Sequence, residues 1–149
     1  MIQIGSDEAW LWIAIEPIHK QILGVYISRH RNNMLVAESL FLSSLIKIYG
    51  GKHIVYSDDG GGTWYPEACI SLGLKHRTHS SYEKSIVVER TIEYLKDRTE
   101  GFDDYYPCIK SGLCNLKHVH KWLHLFVFMY NTVVKSGTKF DDLRRWKYL

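Results

Sequence analysis

Two short apolar runs separated by a proline turn constrain the fold of this chain more than any other feature. Trp10–Ile15 is rich in strand-favouring residues and ends before Pro17, which has no amide hydrogen to give to a sheet. Ile22–Ser28 is a second run of the same kind after a short turn. Runs this close predict an antiparallel hairpin, with Met1–Ile4 as the tail of an earlier strand and residues 5–8 as the turn between them.

Helical and strand patterns alternate after the hairpin. Gly50 is a helix stop, and Ser80 with Glu83 has the spacing of a capping box. Together with the hairpin, this order of elements predicts a mixed α/β fold. The predicted elements are a helix over 33–49, a strand over His53–Ser57, a short helix from Thr63 to Leu72, a strand over Leu74–His79, a helix from Ser80 to about Arg98, and a last helix over Leu116–Val134.

Length and composition indicate one soluble globular domain. The chain has 149 residues, 46% of them hydrophobic, and a net charge of +3. A small positive net charge is compatible with a nucleic-acid partner. Lys and Arg outnumber Asp and Glu over 75–121, but a solvated charged face would show the same excess of basic residues. Three cysteines do not make a disulfide framework, and no signal peptide or membrane span is apparent. We expect a cytoplasmic protein with a domain over 1–135 and a polar tail over 136–149.

An acidic, glycine-rich loop follows the predicted strand that ends at Ser57. Asp58 and Asp59 precede three glycines at 60–62. A carboxylate fixed at the end of a strand, with open backbone around it, is well placed to hold a divalent metal. The same residues are also ordinary turn chemistry, so the loop alone does not decide between the two interpretations.

Glu89 and Lys96 lie seven residues apart on the helix predicted from Ser80. This spacing is two helical turns, so both side chains share one face. A carboxylate there can bind a metal, and the ammonium can bind an adjacent phosphate. The alternative is a solvated helix face; Glu89 follows the apolar residues Val87 and Val88 and therefore borders the predicted buried stripe.

A mixed cysteine and histidine cluster invites a zinc interpretation. Cys108, Cys114, His118 and His120 are the residues concerned. Their spacing does not match a zinc finger, and two histidines two positions apart on one helix point in nearly opposite directions. Neither a phosphate-binding glycine loop followed by Lys nor a serine nucleophile elbow occurs in the sequence.

Taken in order, several phrases resemble the catalytic domains of insertion-sequence transposases of the DDE type, which have an integrase-like core. The resemblance covers roughly residues 1–131 and consists of phrases longer than a short motif. They are Trp10-Leu-Trp-Ile-Ala-Ile-Glu-Pro17, Tyr56-Ser-Asp58 with Gly-Gly-Thr-Trp-Tyr-Pro66, Glu83-Lys-Ser-Ile with Glu89-Arg-Thr, and Lys96-Asp-Arg-Thr-Glu-Gly-Phe-Asp-Asp-Tyr-Tyr-Pro107.

The resemblance implies a ribonuclease H-like fold, a mixed sheet flanked by helices. It also implies three metal-binding acids, on the first strand, after the fourth strand and on a later helix. The second corresponds to Asp58, or to Asp59 if the loop is shifted, and the third to Glu89. The family also has a basic residue two helical turns after the third acid, which contacts DNA, and Lys96 is at that position. The implied cofactor is Mg²⁺ or Mn²⁺, and the implied chemistry is cleavage and strand transfer at transposon ends.

The resemblance also implies that the first strand is shortened. The first acid of the family lies about a dozen residues before the strand at Leu11, which is before Met1. Asp7 and Glu8 imitate that phrase but fall in the predicted turn. We therefore expect a domain that is incomplete at its N-terminus and inactive alone. Two alternatives to a catalytic domain remain open: a non-catalytic regulator that binds DNA or transposase, and a pseudogene remnant. Homodimers and mixed dimers with full-length transposase are both open as assemblies.

Overall fold

A computed structural model describes residues 2–4, 7–29, 36–57, 64–79, 82–98 and 116–137 of the chain. These residues form a mixed α/β fold, as predicted. The strands are β1 (Ile2–Ile4), β2 (Asp7–Glu16), β3 (Gln21–Ser28), β4 (Ile54–Ser57) and β5 (Lys75–Thr78). The helices are a π-helical segment (Val36–Leu42) that continues into α1 (Ser43–Tyr49), then α2 (Trp64–Ser71), α3 (Tyr82–Arg98) and α4 (Leu116–Lys135).

The strands form two sheets within the described residues. β1, β2 and β3 are antiparallel neighbours in that order, and β4 pairs with β5 in parallel through the crossover helix α2. The predicted hairpin is confirmed, and Glu16 organises its turn. The Glu16 carboxylate accepts hydrogen bonds from the backbone amides of Ile18 and His19 at 2.8 and 2.7 Å. Lys20 then closes the turn in the left-handed region, with φ of 57°.

The start of β2 differs from the prediction. Asp7 and Glu8, expected in the turn after β1, are the first residues of β2 and pair with Ile4 and Gln3. The strand is therefore longer than the apolar run Trp10–Ile15, because backbone pairing extends into polar residues where β1 supplies partners. Glu8 is exposed on this strand.

Each face of the three-stranded sheet has its own hydrophobic core. On one face, α3 and α4 cover a cluster of Ala9, Ile22, Val25, Ile27, Leu95, Val119, Leu123 and Tyr130. On the other face, α1 and α2 cover a cluster of Trp12, Phe41, Leu42, Ala68, Cys69 and Leu74. The strands of this sheet are thus buried from both sides, since alternate residues of β2 enter different cores.

The first helix departs from regular α geometry over its first turns. Residues 33–49 were predicted as one helix, and the described part begins as the wider π-helical segment. A π turn holds an extra residue and shifts the helical phase. Phe41 and Leu42 are consecutive and both buried at this point. None of the described helices is long and apolar enough to cross a membrane.

Candidate functional site

The carboxyl end of β4 carries the strongest of the sequence-predicted site residues. β4 ends at Ser57, so Asp58 is the next residue of the chain. The loop 58–63 lies outside the described residues, and the predicted roles of Asp58 and Asp59 therefore stay predictions. The backbone amide of His79 donates to the Ser57 carbonyl at 2.9 Å, so the parallel pairing of β4 and β5 continues to the point where Asp58 begins.

Two histidines that the sequence analysis did not single out lie at this end of the parallel pair. The His76 Nε2 atom is 2.8 Å from the Ser57 hydroxyl, and the His79 ring stacks on Tyr56 with centroids 6.0 Å apart. Among the described residues, the buried Nδ1 atom of His79 has no hydrogen-bond partner. The sequence signal that could have identified these two histidines is the spacing His76-x-x-His79 across the end of a strand. Imidazole nitrogens at this strand end can form hydrogen bonds or act as ligands.

The aromatic residues after the loop pack into the core. Trp64 lies edge-on to Trp12 at 5.7 Å, and Tyr65 lies edge-on to His76 at 5.9 Å. Burial raises the pKa of the Tyr65 hydroxyl, with a further contribution from Cys69, and burial raises the pKa of the Cys69 thiol to about 11. Both groups are therefore protonated at neutral pH, and Cys69 is not a thiolate nucleophile.

Glu89 and Lys96 share one face of α3, as their spacing predicts. Glu89 is exposed and Lys96 is half-buried. The opposite face carries Thr91 and Leu95, which are buried against the sheet. Glu89 thus lies on the solvent side of α3.

A cavity joins the end of β4 to α3. Its volume is about 420 Å³, and Tyr56 and His79 line it together with Val87 and Val88. The helix that carries Glu89 and the strand that leads into Asp58 therefore line the same cavity. Val88 adjoins Glu89 in sequence, and one residue along a helix is a rotation of about 100°. The two acids thus come from elements that meet at one cavity.

The predicted zinc ligands do not form a cluster within the described part of the chain. Cys108 and Cys114 lie outside them, His118 is exposed, and no group of three or more metal-binding side chains occurs in the described part of the chain. His120 instead contacts Tyr26, with ring centroids 5.6 Å apart, and His124 at 4.4 Å.

His120 gives the fold a pH dependence. Its pKa lies below the ordinary histidine value because of burial and the neighbouring His124, although a hydrogen bond with the Val25 backbone acts in the opposite direction. The unfolded chain then binds this proton more readily, so stability from His120 is complete above the ordinary histidine pKa and is lost as the pH falls from there through the lowered pKa of the folded chain. Acidification from pH ~7.5 to ~5.5 is expected to lower the thermal unfolding midpoint by a few degrees more in the natural chain than in His120→Gln.

The matched control for this measurement is the exposed His118 on the same helix. His118→Gln should keep the full pH-dependent fall of the natural chain in a melt followed by circular dichroism. A fall as steep in His120→Gln as in the natural chain would contradict the assignment.

Comparison with known proteins finds similarity to a protein that is itself uncharacterized. An uncharacterized protein of Methanocaldococcus jannaschii is 32% identical over 132 residues, which are 89% of this chain and 58% of the relative. The chain thus spans little more than half the length of that relative. No protein-family model matches the chain, and no solved structure matches it.

Proposed function

We propose that this chain belongs to the catalytic domain of an insertion-sequence transposase with a ribonuclease H-like fold. The main support is that the strand preceding one predicted acid and the helix carrying the other line a common cavity. Asp58 follows directly on the fourth strand, and Glu89 projects from a helix that lines the same cavity as the end of that strand. Three antiparallel strands, a helix and a parallel pair joined by a helix are also compatible with the proposed fold.

The donor chemistry fits a hard divalent cation. Carboxylate oxygens are the ligands that Mg²⁺ and Mn²⁺ prefer, and Asp58 with Glu89 would hold the ion, with Asp59 as the alternative from the loop. When bound, such ions activate an attacking oxygen and stabilise the leaving oxygen of a phosphodiester. Lys96, two turns after Glu89, would contact a neighbouring DNA phosphate.

Metal affinity tests this proposal directly. Mn²⁺ binding, measured by electron paramagnetic resonance of the free ion, should weaken about tenfold in Asp58→Asn and in Glu89→Gln, because each loses one charged ligand. Glu93→Gln is the matched control, since Glu93 is also exposed one turn further along α3. Equal Mn²⁺ affinity in Glu89→Gln and the natural chain would refute the metal site.

The open edges of the two sheets favour a second candidate. Within the described residues, β4 has one strand neighbour, β5, and the middle strand β2 is paired with β1 only over Asp7 to Ala9. Unpaired strand edges bind other chains readily. A regulator that binds full-length transposase, without catalysis of its own, would use such edges. Its co-purification with the full enzyme, together with absent Mn²⁺ binding, would favour this candidate over the catalytic domain.

A further inference from the structure

Two histidines on α4, His120 and His124, lie about one helical turn apart and touch each other. Side chains four residues apart share one face of a helix. The two rings meet edge to face, with centroids 4.4 Å apart and an angle of 82° between their planes. His120 is half-buried and contacts Tyr26 of β3, whereas His124 is exposed. The pair thus joins a ring that is held by the sheet to a ring at the surface.

The hydrogen bonding of His120 determines which of its nitrogens carries the proton. Burial and the neighbouring His124 lower the pKa of His120, and a hydrogen bond with the Val25 backbone raises it. A bond that favours the protonated ring is one in which the ring donates, so the acceptor is the Val25 carbonyl. The buried Nε2 atom has no hydrogen-bond partner within the described ranges, so the donor is Nδ1. In the neutral ring, Nε2 therefore holds a lone pair that no donor satisfies.

This arrangement of His120 is the one that metal-binding histidines adopt. A buried acceptor without a donor is unfavourable, and such an atom in a folded protein calls for an explanation. Metal-binding histidines usually donate their other ring nitrogen to a backbone carbonyl or carboxylate, because that bond fixes the tautomer and the orientation of the ring. The Val25 carbonyl acts in this way for His120, and the edge-on contact with Tyr26, at 5.6 Å, holds the ring from a second direction.

The separation of the two rings suits one shared ion. Imidazole nitrogens bind Zn²⁺ at about 2.0–2.1 Å, so two rings bound at right angles to one ion have centroids about 4.5 Å apart. The observed separation is 4.4 Å, with the ring planes nearly perpendicular. His124 is exposed, so its ring can turn to direct a nitrogen at the ion without disturbing the core.

We propose that His120 and His124 form a two-histidine site for a divalent transition-metal ion such as Zn²⁺, Ni²⁺ or Cu²⁺, with water in the remaining coordination positions. Imidazole favours these ions, whereas the carboxylates of Asp58 and Glu89 suit Mg²⁺ or Mn²⁺. His118 is not a ligand, because it lies two residues from His120 and points in nearly the opposite direction on the helix. This inference does not depend on the proposed transposase function.

A titration of the full chain with Ni²⁺ alone, followed by isothermal calorimetry, tests the site. His124→Gln should weaken Ni²⁺ binding at least about tenfold, because one of two protein ligands is lost. His124 is exposed, so this variant should stay folded, which circular dichroism checks. His118→Gln is the matched control, since it removes an exposed histidine from the same helix and should leave the affinity unchanged.

Glu89→Gln should also leave Ni²⁺ binding at the histidine pair unchanged, which separates this site from the carboxylate site of the proposed function. Equal Ni²⁺ affinity in His124→Gln and the natural chain would overturn the proposal. A loss in His118→Gln as large as the loss in His124→Gln would overturn it as well, because the binding would then not be specific to the pair.

The tautomer of His120 provides a second measurement, which needs no metal. Nitrogen-15 NMR of the imidazole side chains, in the metal-free chain at pH ~7.5, should place the proton of His120 on Nδ1 and leave Nε2 unprotonated. Addition of Zn²⁺ should then shift the His120 Nε2 resonance and one ring nitrogen of His124, and should leave His118 unchanged. A proton on Nε2 of His120 in the metal-free chain would contradict the proposal, because the lone pair that binds the ion would be absent.

Discussion

Replacing Leu123 with Ala is expected to lower the free energy of unfolding by about 3–4 kcal/mol, the cost typical of a large cavity in a packed core. Leu123 is 0% exposed and lies in the cluster that α4 forms with Ile22, Leu95 and Val119. The remaining side chains come from a sheet and two helices, so no single element can move to fill the space. Urea unfolding followed by circular dichroism measures the loss.

Leu125 offers the matched control for this substitution. It lies two residues further on the same helix and is 56% exposed. Leu125→Ala removes the same atoms and changes helix propensity in the same way, but it leaves no cavity. Its effect is expected to stay within about 0.5 kcal/mol. If the two variants lost equal stability, α4 would not pack on the sheet through the face that carries Leu123.

Local patterns explain why most elements were predictable from the sequence. The proline after Glu16 and the β-rich runs on either side of it define the β2–β3 hairpin. The apolar spacing of α4 predicts a helix over Leu116–Val134, one residue shorter than the observed Leu116–Lys135. Gly137, with φ of 74°, ends it in the left-handed region, where glycine is not strained.

The partners across the fold were not predictable in the same way. The sequence indicates that Trp12 is a core residue, but not that its indole nitrogen donates to the Ser28 hydroxyl at 2.9 Å or that Phe41 and Trp64 contact its ring. These contacts join residues far apart in sequence, and single-sequence periodicity carries no information about them. The bulge at Leu23, between the pairs Ala14–Gly24 and Ile15–Ile22, is likewise set by tertiary packing.

In the candidate site, too, some features follow from the local sequence and others depend on contacts across the fold. Strand and helix boundaries suffice to place Asp58 after β4 and Glu89 on one face with Lys96. They do not show that His76 contacts Ser57, because that requires the parallel register of β4 and β5. They also do not show that Val87 and Val88 line the same cavity as Tyr56 and His79. The site chemistry is local in sequence, whereas the cavity is a property of the topology.

Asn131→Ala should lower the free energy of unfolding by about 2–3 kcal/mol, because one side chain satisfies two backbone groups of a sheet edge. The Asn131 carbonyl oxygen accepts from the Ile22 amide at 2.9 Å, and its amide nitrogen donates to the Ile22 carbonyl at 2.8 Å. The side chain thus replaces a neighbouring strand beside β3, at the residue where the bulge begins. Alanine would leave both Ile22 groups partly buried and without these partners.

The neighbouring Thr132 is the control, since its hydroxyl bonds only within α4, to the Phe128 carbonyl at 2.8 Å, and its side chain is exposed. Thr132→Ala should cost no more than about 0.5 kcal/mol. Amide exchange at Ile22 should accelerate in Asn131→Ala beyond the global loss of stability, which separates a local edge effect from general unfolding. Equal losses in the two variants would show that α4 is not hydrogen-bonded to β3.

The two largest predicted effects should not add. Leu123 and the side chain of Ile22 belong to the same buried cluster, and Asn131 holds the backbone of Ile22. Once Asn131→Ala has released Ile22, its side chain can move toward the cavity left by Leu123→Ala. The double variant is therefore expected to lose about 0.5–1 kcal/mol less than the sum of the single losses. Strict additivity would mean that the hydrogen bonds of Asn131 and the packing of Leu123 hold α4 on the sheet independently of each other.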